Sequence, residues 1–165
     1  MRTITAIRIW LAVFIVGLVL SGVTAFPLQA ELTLLSQTLH GSPAPGLLPG
    51  LVEWVDRVRH ALDDSGTRYP FLSYGTDWLA FAHLVIAVAF IGPLVDPVRN
   101  VWVIWFGVIA CAGVIPLALI AGGIRGIPLG WQLIDMSFGL LGVIPLLIAL
   151  RLTTRLPTPH TPAET

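Results

Sequence analysis

The chain has 165 residues, 56% of them hydrophobic and 11% charged, against roughly 45–50% and 25% in soluble domains. Nine basic and nine acidic side chains are too few to cover a soluble globule of this length, so the composition, with a mean hydropathy of +0.88, points to an integral membrane protein. The formal net charge is zero, all basic residues are Arg, and Cys111 is the single cysteine; this excludes a basic nucleic-acid face, an internal disulfide and a cysteine-cluster metal site.

Four apolar stretches approach the roughly 20 residues needed to cross about 30 Å of hydrocarbon at 1.5 Å per residue. They cover about 7–25, 78–95, 101–122 and 131–150. The expected fold is therefore an all-α membrane domain over 1–155, a bundle of four transmembrane helices. In the first stretch Arg2 and Arg8 precede the apolar run, and Val23-Thr24-Ala25 meets the small-residue pattern of a signal-peptidase site. The run from Ile9 exceeds the roughly 7–15 residues of a signal-peptide core, which favours an uncleaved anchor.

Residues 26–75 carry much of the charge and form the expected external two-helix loop between spans one and two. Leu28, Leu32, Leu35 and Leu39 recur at helical spacing, with Gly41 as a stop. After the turn-rich Gly41-Ser42-Pro43-Ala44-Pro45-Gly46, a second stripe follows at Leu51, Trp54, Val55, Val58 and Leu62, with Gly66 as its end. Its polar face pairs Glu53 with Arg57 and Arg59 with Asp63 at i,i+4. The two helices are expected to lie as a small cap over the bundle or in the interface.

The later connections are short. Asp96 is expected to cap the third span, with Pro97 in its first turn, and Gly122 to Pro128 makes a second hairpin. Pro116 and Pro145 fall inside spans three and four, where each removes an intrahelical hydrogen bond. Arg2, Arg8, Arg99, Arg151 and Arg155 sit near span ends on one side, and only Arg68 and Arg125 on the other. The excess places both termini in the cytoplasm. The Pro/Thr-rich stretch 156–165 reads as a disordered cytoplasmic tail.

Charged groups at membrane depth cost roughly 2.5–3.5 kcal/mol near the centre and need partners. Asp77 begins span two and is expected to serve its N-terminus; His83 lies six residues deeper, about 9 Å along a helix. Asp135 lies at similar depth in span four, so His83 and Asp135 are expected to meet, with Arg125 in the nearby hairpin as a second cation. Asp77, His83, Arg125 and Asp135 are the candidate ligand-binding residues. Asp77 and His83 do not converge as metal ligands, and a bis-histidine haem would need a second histidine in a span, so neither metal nor cofactor is expected. Cys111 reads as a small hydrophobe, and Ser21 and Ser137 have no base at a known motif spacing, so no catalytic residue is expected. Gly139 and Gly142, with Gly113, Ala118 and Gly122, allow close helix approach. Tyr69, Phe71, Tyr74, Trp78, Trp102, Trp105 and Trp131 form an expected aromatic belt.

The string from Tyr69-Pro70-Phe71 through Gly75-Thr76-Asp77-Trp78 to His83, followed by Asp96-Pro97-Val98-Arg99-Asn100 and Ile124-Arg125-Gly126-Ile127-Pro128, resembles a family of small uncharacterised bacterial membrane proteins with four spans. The resemblance covers most of the chain from the first span to Arg151. It implies the bacterial inner membrane and brings no chemistry. So few polar groups enter the spans that the expected role is a non-enzymatic accessory, assembly or scaffold subunit of a larger membrane complex. The alternative is a lipid-, quinone- or ion-binding or proton-relay protein built on the four candidate residues. The expected partners are the lipid bilayer and other membrane subunits or further copies of the chain, and not nucleic acid.

Overall fold

The computed structural model describes residues 2–156. In chain order its helices are α1 (Arg2–Ala25), α2 (Leu28–His40), α3 (Ala44–Leu47), α4 (Pro49–Arg68), a 3-10 turn (Pro70–Leu72), α5 (Ser73–Ala89), α6 (Ile91–Val95), α7 (Val101–Ile124) and α8 (Leu129–Thr153). Four segments are long and apolar enough to cross a membrane: α1, Pro70–Val95, α7 and α8. The protein is thus all-α, with four candidate spans and shorter helices between the first and second. The tail expected at 156–165 falls, beyond Leu156, outside the described residues.

The observed spans are longer than the apolar runs alone indicated. α1 starts at Arg2, and the second span starts at Pro70 instead of Trp78, because helical hydrogen bonding continues through residues whose polarity suits a membrane interface. That span breaks at Phe90, three residues before Pro93, whose ring nitrogen has no hydrogen to donate to the preceding turn. The guanidinium of Arg8 closes the far end of α6, with Nε donating to the Leu94 carbonyl at 3.1 Å and Nη2 to that of Val95 at 3.3 Å. α7 and α8 continue through Pro116 and Pro145. Asp96 does not cap α7: its carboxylate accepts from the Arg99 amide at 3.0 Å within the turn before the helix, which begins only at Val101. α7 also runs past Gly122 to Ile124, so the second hairpin turns at Gly126, with φ +66, where a missing Cβ removes the left-handed penalty.

Two antiparallel helix pairs make the bundle, α1 with α5 and α7 with α8, and α1 joins them by also packing along α8. Lipid tails are as apolar as the helices, so close van der Waals contact, more than water exclusion, holds such pairs together. Glycines provide it. A Cβ on Gly139 would lie 2.5 Å from the Cys111 carbonyl oxygen, and one on Gly22 would lie 2.9 Å from that of Ala80. A Cβ on Gly142 would meet Cys111 and Phe14, and Gly122 seats the buried Gln132 side chain, whereas a Cβ on Gly113 would meet nothing within 4 Å. The large fully buried side chains of the spans gather where the chain ends lie: Ile7 and Leu11 of α1, Phe90 after α5, Ile104 of α7 and Leu146 of α8.

At the other end α2 and α4 pair into a cap. Leu32 of α2 and Val52 and Val55 of α4 are buried, while Leu35 is exposed. α2 ends at Gly41 as its pattern indicates, but α4 passes Gly66 to Arg68. Arg59 pairs with Asp63 at 3.3 Å and Arg68 with Asp64 at 2.9 Å. Glu53 and Arg57 form no ion pair; both border a groove against the α7–α8 hairpin. Tyr69, Phe71, Tyr74, Trp78, Trp102 and Trp105 are all exposed, as anchoring rings at an interface are.

Candidate functional site

The two helix pairs meet in the buried cluster near the chain ends; toward the cap they leave a cleft of about 410 Å³ between them, lined by all four spans. This is within the roughly 300–1,000 Å³ typical of small-molecule sites. Its floor is the tilted ring pair Phe14–Phe90, with centroids 4.7 Å apart, and Gly107 beneath lets Phe90 lie flush against α7. The walls are Leu18 and Gly17 of α1, Ile86 of α5, Ala110 and Val114 of α7, and Phe138 and Leu141 of α8. Cys111, half-buried, lies on the wall beside Gly142. Among the described residues, two side chains able to form strong hydrogen bonds border it, Ser21 of α1 and His83 of α5. Both stand at the cap-facing end, because Gly22 packs on Ala80 and so fixes that stretch of α1 against this stretch of α5.

His83 and Asp135 do not pair. The His83 ring turns back along its own helix, where Nδ1 bonds the Leu79 carbonyl at 2.8 Å. α1 stands between α5 and α8, so equal depth on two outside-to-inside helices does not bring their side chains together. Asp135 is half-buried and makes no hydrogen bond among the described residues; it lies one turn on the cap side of Phe138 and Gly139, near the mouth of the cleft. Asp77 does not cap α5, since the helix starts four residues earlier at Ser73. It lines instead a smaller cavity of about 250 Å³ under the α1–α2 turn, with Gln29 and Thr76. Arg125 is exposed in the hairpin turn and contributes only its backbone amide, to Ala121. Of the four candidates, then, His83 lines the cleft, Asp135 is near its mouth, and Asp77 and Arg125 lie elsewhere at the cap end. Among the described residues no three His, Cys, Asp or Glu side chains converge.

A polar cluster that the sequence reading did not assemble ties the cap together. The buried Ser36 hydroxyl donates to Asp56 Oδ1 at 2.6 Å, and His40 Nε2 lies 2.8 Å from Oδ2. The Ser36 and His40 hydrogen bonds hold the Asp56 carboxyl below its usual range. His60 Nδ1 donates to the Asp56 carbonyl at 2.7 Å, and its Nε2 takes a hydrogen bond from Arg59 at 3.1 Å. Since Ser36 gives its proton to a carboxylate and not to an imidazole, the cluster is a clamp between α2 and α4 and not a nucleophile with its base. Ser36 and His40 are four apart on one helix, a spacing visible in the sequence; that Asp56 faces both is a product of the α2–α4 pairing.

Comparison with models of protein families, with curated proteins and with solved structures finds no match to this chain, so the resemblance to small four-span bacterial proteins carries no family assignment, and what stands is a small multi-pass membrane protein with four spanning helices.

Proposed function

We propose that this is a non-enzymatic protein of the bacterial inner membrane, with both termini cytoplasmic, that holds one lipid-like amphiphile in the cleft between its helix pairs. The observation that carries the reading is the cleft itself: it lies among four spans, is apolar along its length, and has its polar groups, Ser21 and His83, at one end only. An amphiphile has the same asymmetry. His83 is the candidate residue that touches it, with Asp135 near the mouth and Asp77 and Arg125 away from it at the cap end. A proton relay has less support, because it needs groups hydrogen-bonded in succession, and the His83 ring bonds only its own helix.

The test is native mass spectrometry of the full chain extracted in mild detergent, with lipids identified after release. One bound amphiphile per chain is expected. Gly17 lines the cleft and a Cβ there meets nothing within 4 Å, so Gly17→Phe should fill the space without disturbing the helices. Ala110→Phe tests the opposite wall. Both variants should lose the amphiphile while melting within about 0.5 kcal/mol of the delipidated parent. An empty parent protein, or full occupancy in both variants, sinks the reading.

A second reading, an accessory subunit of a larger membrane complex, has support from the groove between the cap and the α7–α8 hairpin. Its wall residue Trp54 has a buried indole N–H without a hydrogen-bond partner among the described residues, beside Arg57 and Trp131. A buried donor of this kind costs roughly 1–3 kcal/mol unless something accepts from it. Recovery of the detergent-extracted chain at fixed stoichiometry with another membrane protein, lost in Trp54→Phe, would favour this reading over the first.

A further inference from the structure

The orientation of His83 restricts what the polar end of the cleft accepts. A carbonyl oxygen can only accept, so the Nδ1 that lies 2.8 Å from the Leu79 oxygen carries the hydrogen. In the neutral ring Nε2 is then a lone pair, an acceptor without a donor among the described residues, on the wall of a cleft that is otherwise almost wholly apolar. In hydrocarbon such an acceptor has no partner, and a ligand that brings a hydrogen supplies one. The Ser21 hydroxyl, at the same end on α1, rotates to donate or accept and so tolerates either kind of oxygen. Selection therefore falls to His83.

Resting on the amphiphile reading above, we infer that the cleft selects an amphiphile whose head presents a hydroxyl group, with the hydroxyl donating to His83 Nε2 and its own oxygen facing Ser21. The tail runs from there toward the Phe14–Phe90 floor, the direction in which the lining is apolar without interruption. The pose also agrees with depth. His83 lies six residues past Asp77, about 9 Å along α5, below the level at which α1 ends and the cap begins. A molecule entering from the cap side thus carries its hydroxyl below the cap and its chain toward the Phe14–Phe90 floor. Esters, ethers and quinone carbonyls have no hydrogen for Nε2 and are disfavoured.

The test uses the delipidated full chain with two probes that share one hexadecyl chain, hexadecan-1-ol and its methyl ether, and reads the occupied fraction by native mass spectrometry. The alcohol should bind the unmodified protein about three- to tenfold more tightly than the ether, the range one neutral hydrogen bond confers. In His83→Leu the preference should vanish while the ether binds as before, and in Ser21→Ala both probes should weaken together with the preference retained. Equal binding of alcohol and ether to the unmodified chain overturns the hydroxyl selection and leaves the amphiphile cleft standing. Binding of neither probe, with the cleft closed by a second copy of the chain, overturns both.

Discussion

At the level of single residues, the polar side chains divide by the solvent they face. Asp56 lies in the cap, where its carboxylate takes hydrogen bonds from Ser36 and His40 and has its pKa lowered by them, Ser36 foremost. A carboxyl whose folded value is depressed adds stability that is fully present above its unfolded value, about 3.9, and is lost as pH falls through the folded one. Hydrogen-exchange protection of α2 and α4, corrected for intrinsic rates, should therefore hold from neutrality down to about pH 4 and fall below it. Asp56→Asn should start lower and lose this acid step; an acid step unchanged in that variant would assign it to another group. His83 shows the opposite situation. Its place in a span and its depth were legible as sequence, whereas the absence of the Asp135 pair was not, because pairing depends on which helix stands between two others.

For the elements, which stretches form helices is legible in the sequence, and where they end is less so. α2 and α4 announce themselves by leucine and valine stripes with polar faces between, and the spans by apolar runs that match bilayer thickness. Their ends drift because interfacial residues such as Ser73, Tyr74 and Thr76 are as acceptable in a helix as in a loop. Glycine roles were only half legible. Gly139 and Gly113 look alike as text, yet a Cβ on Gly139 would overlap the Cys111 carbonyl while one on Gly113 meets nothing. Gly139→Val should consequently destabilise the detergent-solubilised protein by about 1–3 kcal/mol, the usual cost of overpacking, and Gly113→Ala should change it by under about 0.5 kcal/mol. Thermal melts of the two variants side by side check this; similar melting points would mean that α7 and α8 are not in close contact at Gly139.

For the whole molecule, four spans return the chain to the side on which it began. With the arginine excess at that side, a phosphatase reporter fused after Arg155 should be inactive and one inserted between Gly41 and Gly46 active, with fluorescent-protein fusions giving the reverse. The opposite pattern would invert the orientation, and activity at both positions would remove a span. The order of residues by itself determined that the protein is a membrane protein, how many times it crosses, and where its few polar groups fall along the chain, because the free energy of placing a side chain in hydrocarbon or water is a property of that side chain and its immediate neighbours. The tertiary structure alone decided that α1/α5 and α7/α8 form the close pairs, that their core gathers toward one end, and that a cleft lined by all four spans, with Ser21 and His83 on its cap-facing side, is left beside that core. Those outcomes come from shape complementarity between helix faces that are all apolar; which faces match is decided by glycines, rings and one intervening helix, to which hydropathy is blind.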